Sequence, residues 1–215
     1  VLAKRTNNLS AVVGVSEAHQ QHPPTPTLLF LPFAYLYFME DIDLFEHRHI
    51  SFFTATILEW KHLLKPDKYK ELIISSLSFL VKEKRANLYG FVIMPNHIHL
   101  LWKILPPHNL EAVQRDFLKY VAQQIRRDLA KHHPKVLPLF EVNAKDRKYQ
   151  IWERNPLSVY CYSEEMIAQK LNYIHLNPIK EKWGLATVPE DYHYSSAKFY
   201  IQNITVFDFL THYLD

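Results

Sequence analysis

Two apolar, strand-prone runs meet at a single tight link in the middle of the chain. Leu88 to Met94 reads Leu-Tyr-Gly-Phe-Val-Ile-Met, and His97 to Ile104 reads His-Ile-His-Leu-Leu-Trp-Lys-Ile. β-Branched and aromatic residues fill both runs. Pro95-Asn96 between them is turn chemistry, so the second run is expected to be the hairpin partner of the first. The flanking segments follow from this hairpin. Ile50 to Leu58 is a further strand. Pro66-Asp67 opens a helix whose buried face is Tyr69, Leu72, Ile73, Leu77, Leu80 and Val81, at three-four spacing. Asn109 caps a long helix with inner face Leu110, Val113, Phe117, Tyr120, Val121, Ile125 and Leu129, and His132-His133-Pro134 ends it. Asp146 to Trp152 reads as a fourth, edge-like strand. Ser163 caps a last helix, with Glu164 and Glu165 placed against its dipole. It runs to about Asn177, because Pro178 disfavours helical geometry in the residue before it. Strand, helix, strand, strand, helix, strand is the order of an α+β, ferredoxin-like split βαβ fold: an antiparallel sheet with helices on one face.

Composition narrows the function. Hydrophobic residues make up 48% of the 215 and charged residues 22%, which excludes a wholly disordered chain or a fibre. A single cysteine, Cys161, excludes an internal disulfide framework and a cysteine-based zinc site. No apolar run reaches the roughly 18 residues of a spanning helix. The longest, Leu28 to Met39, is broken by Pro32. No membrane partner is therefore expected, and a cytoplasmic, nucleoid-associated location is. A net charge of +3 suits a nucleic-acid partner but does not specify one. Residues 1–38 differ in character: a small, polar stretch, then His19 to Pro26 with three prolines, then an apolar run that begins too late for a secretory signal. They are expected to be a poorly ordered N-terminal extension, with the catalytic domain spanning 39–215.

Residues i and i+2 of a strand share a face, so His97 and His99 project together while Ile98 points into a core. Two imidazoles on a rigid strand can hold one divalent cation and leave positions open for substrate. With thirteen histidines in the chain, spacing alone is weak evidence. His47-Arg48-His49 has the same spacing with an arginine between, and is read as solvent-exposed. On the last helix Tyr173 and Asn177 are i and i+4, neighbours on one face. The Asn177 amide oxygen is placed to complete the cation's ligands, and the phenol to attack a phosphate held there. Taken alone, a helical tyrosine more often simply packs, and Asn before Pro is a common helix stop.

Three blocks in order carry a resemblance: Met94-Pro95-Asn96-His97-Ile98-His99-Leu100-Leu101-Trp102, then Tyr173-Ile174-His175-Leu176-Asn177-Pro178-Ile179-Lys180, then Pro189-Glu190-Asp191-Tyr192-His193-Tyr194-Ser195-Ser196. From about Ile50 to Tyr200 the chain resembles the single-tyrosine HUH transposases, in particular the REP-associated tyrosine transposases. The resemblance implies nicking and rejoining of single-stranded, hairpin-associated DNA through a 5′-phosphotyrosine. It also implies a Mg²⁺ or Mn²⁺ held by His97, His99 and Asn177, with Tyr173 as nucleophile. A monomer and a homodimer both fit it. Free tyrosine titrates near pH 10, so attack at neutral pH calls for positive charge at the phosphate.

Lys145, Arg147, Lys148 and Arg154 are candidate phosphate contacts, with Tyr149 and Trp152 interleaved as candidate stacking residues. A charge-protected edge strand with core aromatics accounts for the same pattern. Arg115 and Lys119, with Arg126 and Arg127, form a second basic patch on the long helix. Two other readings stand beside the transposase: an inactive or domesticated DNA-binding protein of the same fold, and a zinc hydrolase using the His pair while Tyr173 merely packs.

Overall fold

The computed structural model describes residues 48–215, so the extension, the boundary near Met39 and His47 lie outside the described residues. The elements are β1 (Ile50–Thr56), α1 (Asp67–Lys82), β2 (Ala86–Ile93), β3 (His97–Ile104), α2 (Leu110–His132), β4 (Leu157–Cys161), α3 (Glu164–Leu176) and a short α4 (Ala197–Gln202). The four strands form one antiparallel sheet in the order β2-β3-β1-β4, as a split βαβ unit requires.

The period-two alternation of the strands sorts the two faces. Phe53 and Ala55 of β1, with Ile98, Leu100 and Trp102 of β3, point into the larger core, which α1 and α2 cover with Ile73, Leu77, Val113, Phe117, Val121 and Ile125. The expected placement of helices on one face holds for this pair. The closing helix α3 crosses the opposite face, where Ile167, Leu171 and Ile174 pack on Phe52, Val92 and Leu101. Gly90 makes that approach close: a Cβ there would stand 2.5 Å from Leu171 Cδ1. Both side-chain helix caps expected from sequence are made, Asn109 to the Ala112 N–H and Ser163 to the Met166 N–H.

The fourth strand is not where the sequence suggests. Asp146 to Trp152 forms no strand of the sheet and enters only isolated β-bridges, Glu141 with Tyr149 and Ile57 with Trp152. The edge strand is instead Leu157–Cys161, opened by Pro156 and pairing with β1. Of its five residues only Cys161 is buried, as befits a strand at the edge of the sheet.

The third motif block turns out to be a clamp. The Tyr192 hydroxyl donates to the Ile93 carbonyl, and the Ile93 N–H to the Tyr194 carbonyl. Ser196 Oγ accepts from the Phe91 N–H and lies 2.9 Å from His175 Nε2 on α3. The block closes the β2 edge and ties α3 to the sheet.

Candidate metal and tyrosine site

β3 runs antiparallel to β1 with His99 opposite Thr54 and His97 opposite Thr56. Both rings therefore stand on the α3 face of the sheet, 4.8 Å apart between centroids, with only 5% and 4% of their surfaces exposed. Asn96 holds the first ring. Its Nδ2 donates to the Trp60 carbonyl at 3.0 Å, which orients the amide. Its Oδ1 then faces His97 Nδ1 at 2.7 Å. An amide oxygen only accepts, so Nδ1 carries the proton and the lone pair of the neutral ring lies on Nε2. His99 Nδ1 bonds Thr54 Oγ1 at 2.7 Å, and its Nε2 is buried with no partner.

Burial keeps both rings neutral. It pushes His97 down to about 4, helped by the charges of Lys182 and Lys180. Burial likewise pushes His99 down to about 3, with His97, Lys180 and Lys170 adding to it. His175, buried on α3, is down to about 4 for the same first reason. In the unfolded chain these side chains take a proton near 6.5; in the folded chain they resist until about 3 to 4. The unfolded state thus binds more protons between those values, and stability present at neutral pH is lost as pH falls. Each ring contributes up to about 1.4 kcal/mol per pH unit. Urea unfolding of the metal-free protein at pH 7 and pH 5 should show the drop; a flat profile would mean that the rings are solvated.

Tyr173 approaches from α3. Its ring centroid is 5.2 Å from that of His99 and 6.1 Å from that of Phe52, and 44% of its surface is exposed. One turn further, Asn177 is 2% exposed and its Nδ2 has no partner. Asn177 keeps helical angles (φ −60°, ψ −45°) although Pro178 follows, so packing here overrides the usual preference. The rings of His97, His99 and Tyr173 thus gather where α3 crosses β3, and Asn177 is buried one turn further along α3. The unpartnered Nε2 of His99 and the proton-free Nε2 of His97 suit a divalent cation; the unpartnered Asn177 Nδ2 is a donor, and only the Oδ1 of that amide has the chemistry of a ligand. Among the described residues no group of three or more His, Cys, Asp or Glu could hold a metal.

Other residues of the site are not evident from sequence. Lys180 Nζ lies 4.2 Å from the Tyr173 ring centroid, and Lys170 Nζ 4.9 Å from that of Phe52. Trp183 packs on His97 at 5.7 Å between centroids. Helical spacing is the signal that could have found Lys170, three residues before Tyr173 on α3; nothing local marks Trp60 or Trp183.

The basic stretch is arranged differently from the expectation. Trp152 is a core residue: it is 7% exposed and its Nε1 donates to the Leu118 carbonyl, so it offers no free face to a base. Arg147 pairs with Asp146, which also faces Arg154 at 3.7 Å, and Lys148 faces Glu141 at 3.8 Å. Lys145 is exposed and Tyr149 half-buried. Arg115 and Lys119 are exposed on α2, which covers the sheet face away from the histidines, and Arg115 pairs with Asp116.

No protein-family model matches the chain. Over 105 residues it is 32% identical to a curated Haemophilus influenzae protein named "Putative REP-associated tyrosine transposase". That alignment covers 48% of this chain and 54% of the other, so the chain spans about half the length of that relative. Among solved structures, it is similar to a REP-associated tyrosine transposase bound to a REP hairpin, at 18% identity and TM-score 0.48, covering 69% of this chain and 76% of that one. Among the described residues no helix is long and apolar enough to cross a membrane. The family likeness read from the motif blocks stands.

Proposed function

We propose, from the likeness in sequence to REP-associated tyrosine transposases, that the protein cuts and rejoins single-stranded, hairpin-associated DNA with Tyr173 as nucleophile. The observation that carries this reading is the Tyr173 ring 5.2 Å from the His99 ring within the same chain, beside a pair of neutral imidazoles. The Tyr173 oxygen forms a bond to the scissile phosphorus as the bond from phosphorus to the 3′ oxygen breaks. The products are a 5′-phosphotyrosine and a free 3′ hydroxyl, and the phenolic proton is balanced by the one the 3′ oxygen gains. The tyrosyl phosphodiester conserves the bond for rejoining, where attack by water would lose it.

His97, His99 and Asn177 would hold a Mg²⁺ or Mn²⁺ ion, which when bound supplies positive charge at the phosphate. Lys180 sets a second cation against the Tyr173 ring. Thr54 and Asn96 fix the imidazoles from behind, and Phe52 stacks under His99 at 5.3 Å. The test is the trapping of a covalent protein–DNA adduct on hairpin-bearing single strands, with and without Mg²⁺.

Asn96 earns its own prediction. Asn96→Leu removes the acceptor that places the His97 proton on Nδ1, so Mn²⁺ affinity should fall about 10- to 100-fold, as loss of an outer hydrogen-bond partner does at other metal sites. Titration followed by the Mn²⁺ paramagnetic signal measures it. Unchanged affinity would show that His97 needs no such lock.

A further inference from the structure

Beside the histidine pair stands a side chain that folding alone does not account for. Trp60 is 60% exposed. Glu59 (φ 53°) and Trp60 (φ 56°) are consecutive non-glycine residues in the left-handed region, which any Cβ disfavours. Specific bonds hold both there. The Glu59 N–H donates to the Glu153 carboxylate at 2.6 Å, the Trp60 N–H donates to the Ile57 carbonyl at 2.9 Å, and the Trp60 carbonyl takes the Asn96 amide. The turn is anchored further by Leu58 N–H to the Ile151 carbonyl and Glu153 N–H to the Thr56 carbonyl. The product of this backbone arrangement is a large apolar ring kept in solvent. Backbone held in a sparsely populated region by surrounding bonds clusters at ligand sites.

The position of the ring points to its ligand. Its centroid is 6.2 Å from that of His97. Trp183 packs on His97 as well, and Lys180 and Lys182 lie near enough for their charges to act on that ring. Aromatic faces among cations are how proteins take unpaired nucleotides: the cations meet phosphates and the faces meet bases. A base inside a duplex has no free face to offer.

We propose that Trp60 is a stacking platform for an unpaired nucleobase next to the phosphate that Tyr173 attacks, and that it selects single-stranded over duplex DNA at that point. The inference rests on the strand-cleavage reading, and its test separates the two. In the full chain carrying Tyr173→Phe, affinity is measured for a randomised single strand of about 20 nucleotides, for an abasic strand of equal length and for a blunt duplex. Adding Trp60→Leu should weaken the single strand about tenfold or more. It should leave the abasic strand and the duplex unchanged, and Trp60→Tyr should restore most of the loss. Equal binding of the single strand by both proteins would overturn the platform. So would an equal loss on the abasic strand, which would mark a merely structural tryptophan. Failure of the Trp60-intact chain to bind any of these DNAs would remove the strand-cleavage reading and the platform with it.

Discussion

Tyr173→Phe should reduce the covalent protein–DNA adduct by about 10³-fold or more, as loss of a nucleophile does, while strand binding stays within a few-fold of wild type. The substitution removes one oxygen from a side chain that is 44% exposed and whose ring contacts are edge-on to His99 and Phe52. The hydroxyl supports no part of the core, so a lost adduct would report chemistry rather than unfolding. Denaturing gels of labelled hairpin strands measure it. The other tyrosines near basic residues are poor substitutes: Tyr120 is on α2, on the far side of the sheet, and Tyr149 is half-buried in the segment before β4. An adduct surviving in the variant would move the nucleophile off α3. Cleavage without any adduct would favour hydrolysis by water at the His pair.

The second large effect is expected at His99. His99→Ala deletes a buried ligand nitrogen and should lower Mn²⁺ affinity by more than the roughly 100-fold attached to outer-shell losses. Ligand that binds only the folded chain raises its stability by about 2.7 kcal/mol at a hundred times Kd. That Mn²⁺-dependent rise in Tm should disappear in the variant, which separates lost binding from a lost fold: the metal-free Tm of the variant reports the cavity under Phe52 and the unpaired Thr54 hydroxyl alone. An undiminished rise would place the cation elsewhere.

What the sequence made legible was local. The hairpin, both caps and the sharing of a face by His97 and His99 are short-range consequences of strand and helix periodicity. So is the one-turn spacing of Tyr173 and Asn177. Where the reading missed, the deciding contact came from far along the chain. β4 is a run of only five residues, and it is the partner β1 offers, with Ile50 opposite Cys161, that makes it a strand. Trp152 looks like a stacking residue among its charged neighbours until α2 supplies the Leu118 carbonyl that holds its N–H. The His97 tautomer depends on the Trp60 carbonyl, 36 residues before the amide it orients. The spacing of α3 marks it as amphipathic but does not say which side of the sheet it will cover.

That side has a further consequence. The imidazole strand and the tyrosine helix come from the same chain, and the missing side chain at Gly90 on the neighbouring β2 lets that helix sit close to the sheet. On the proposed reading, a severed strand end joined to Tyr173 would stay leashed to the chain whose own imidazoles lie beside it.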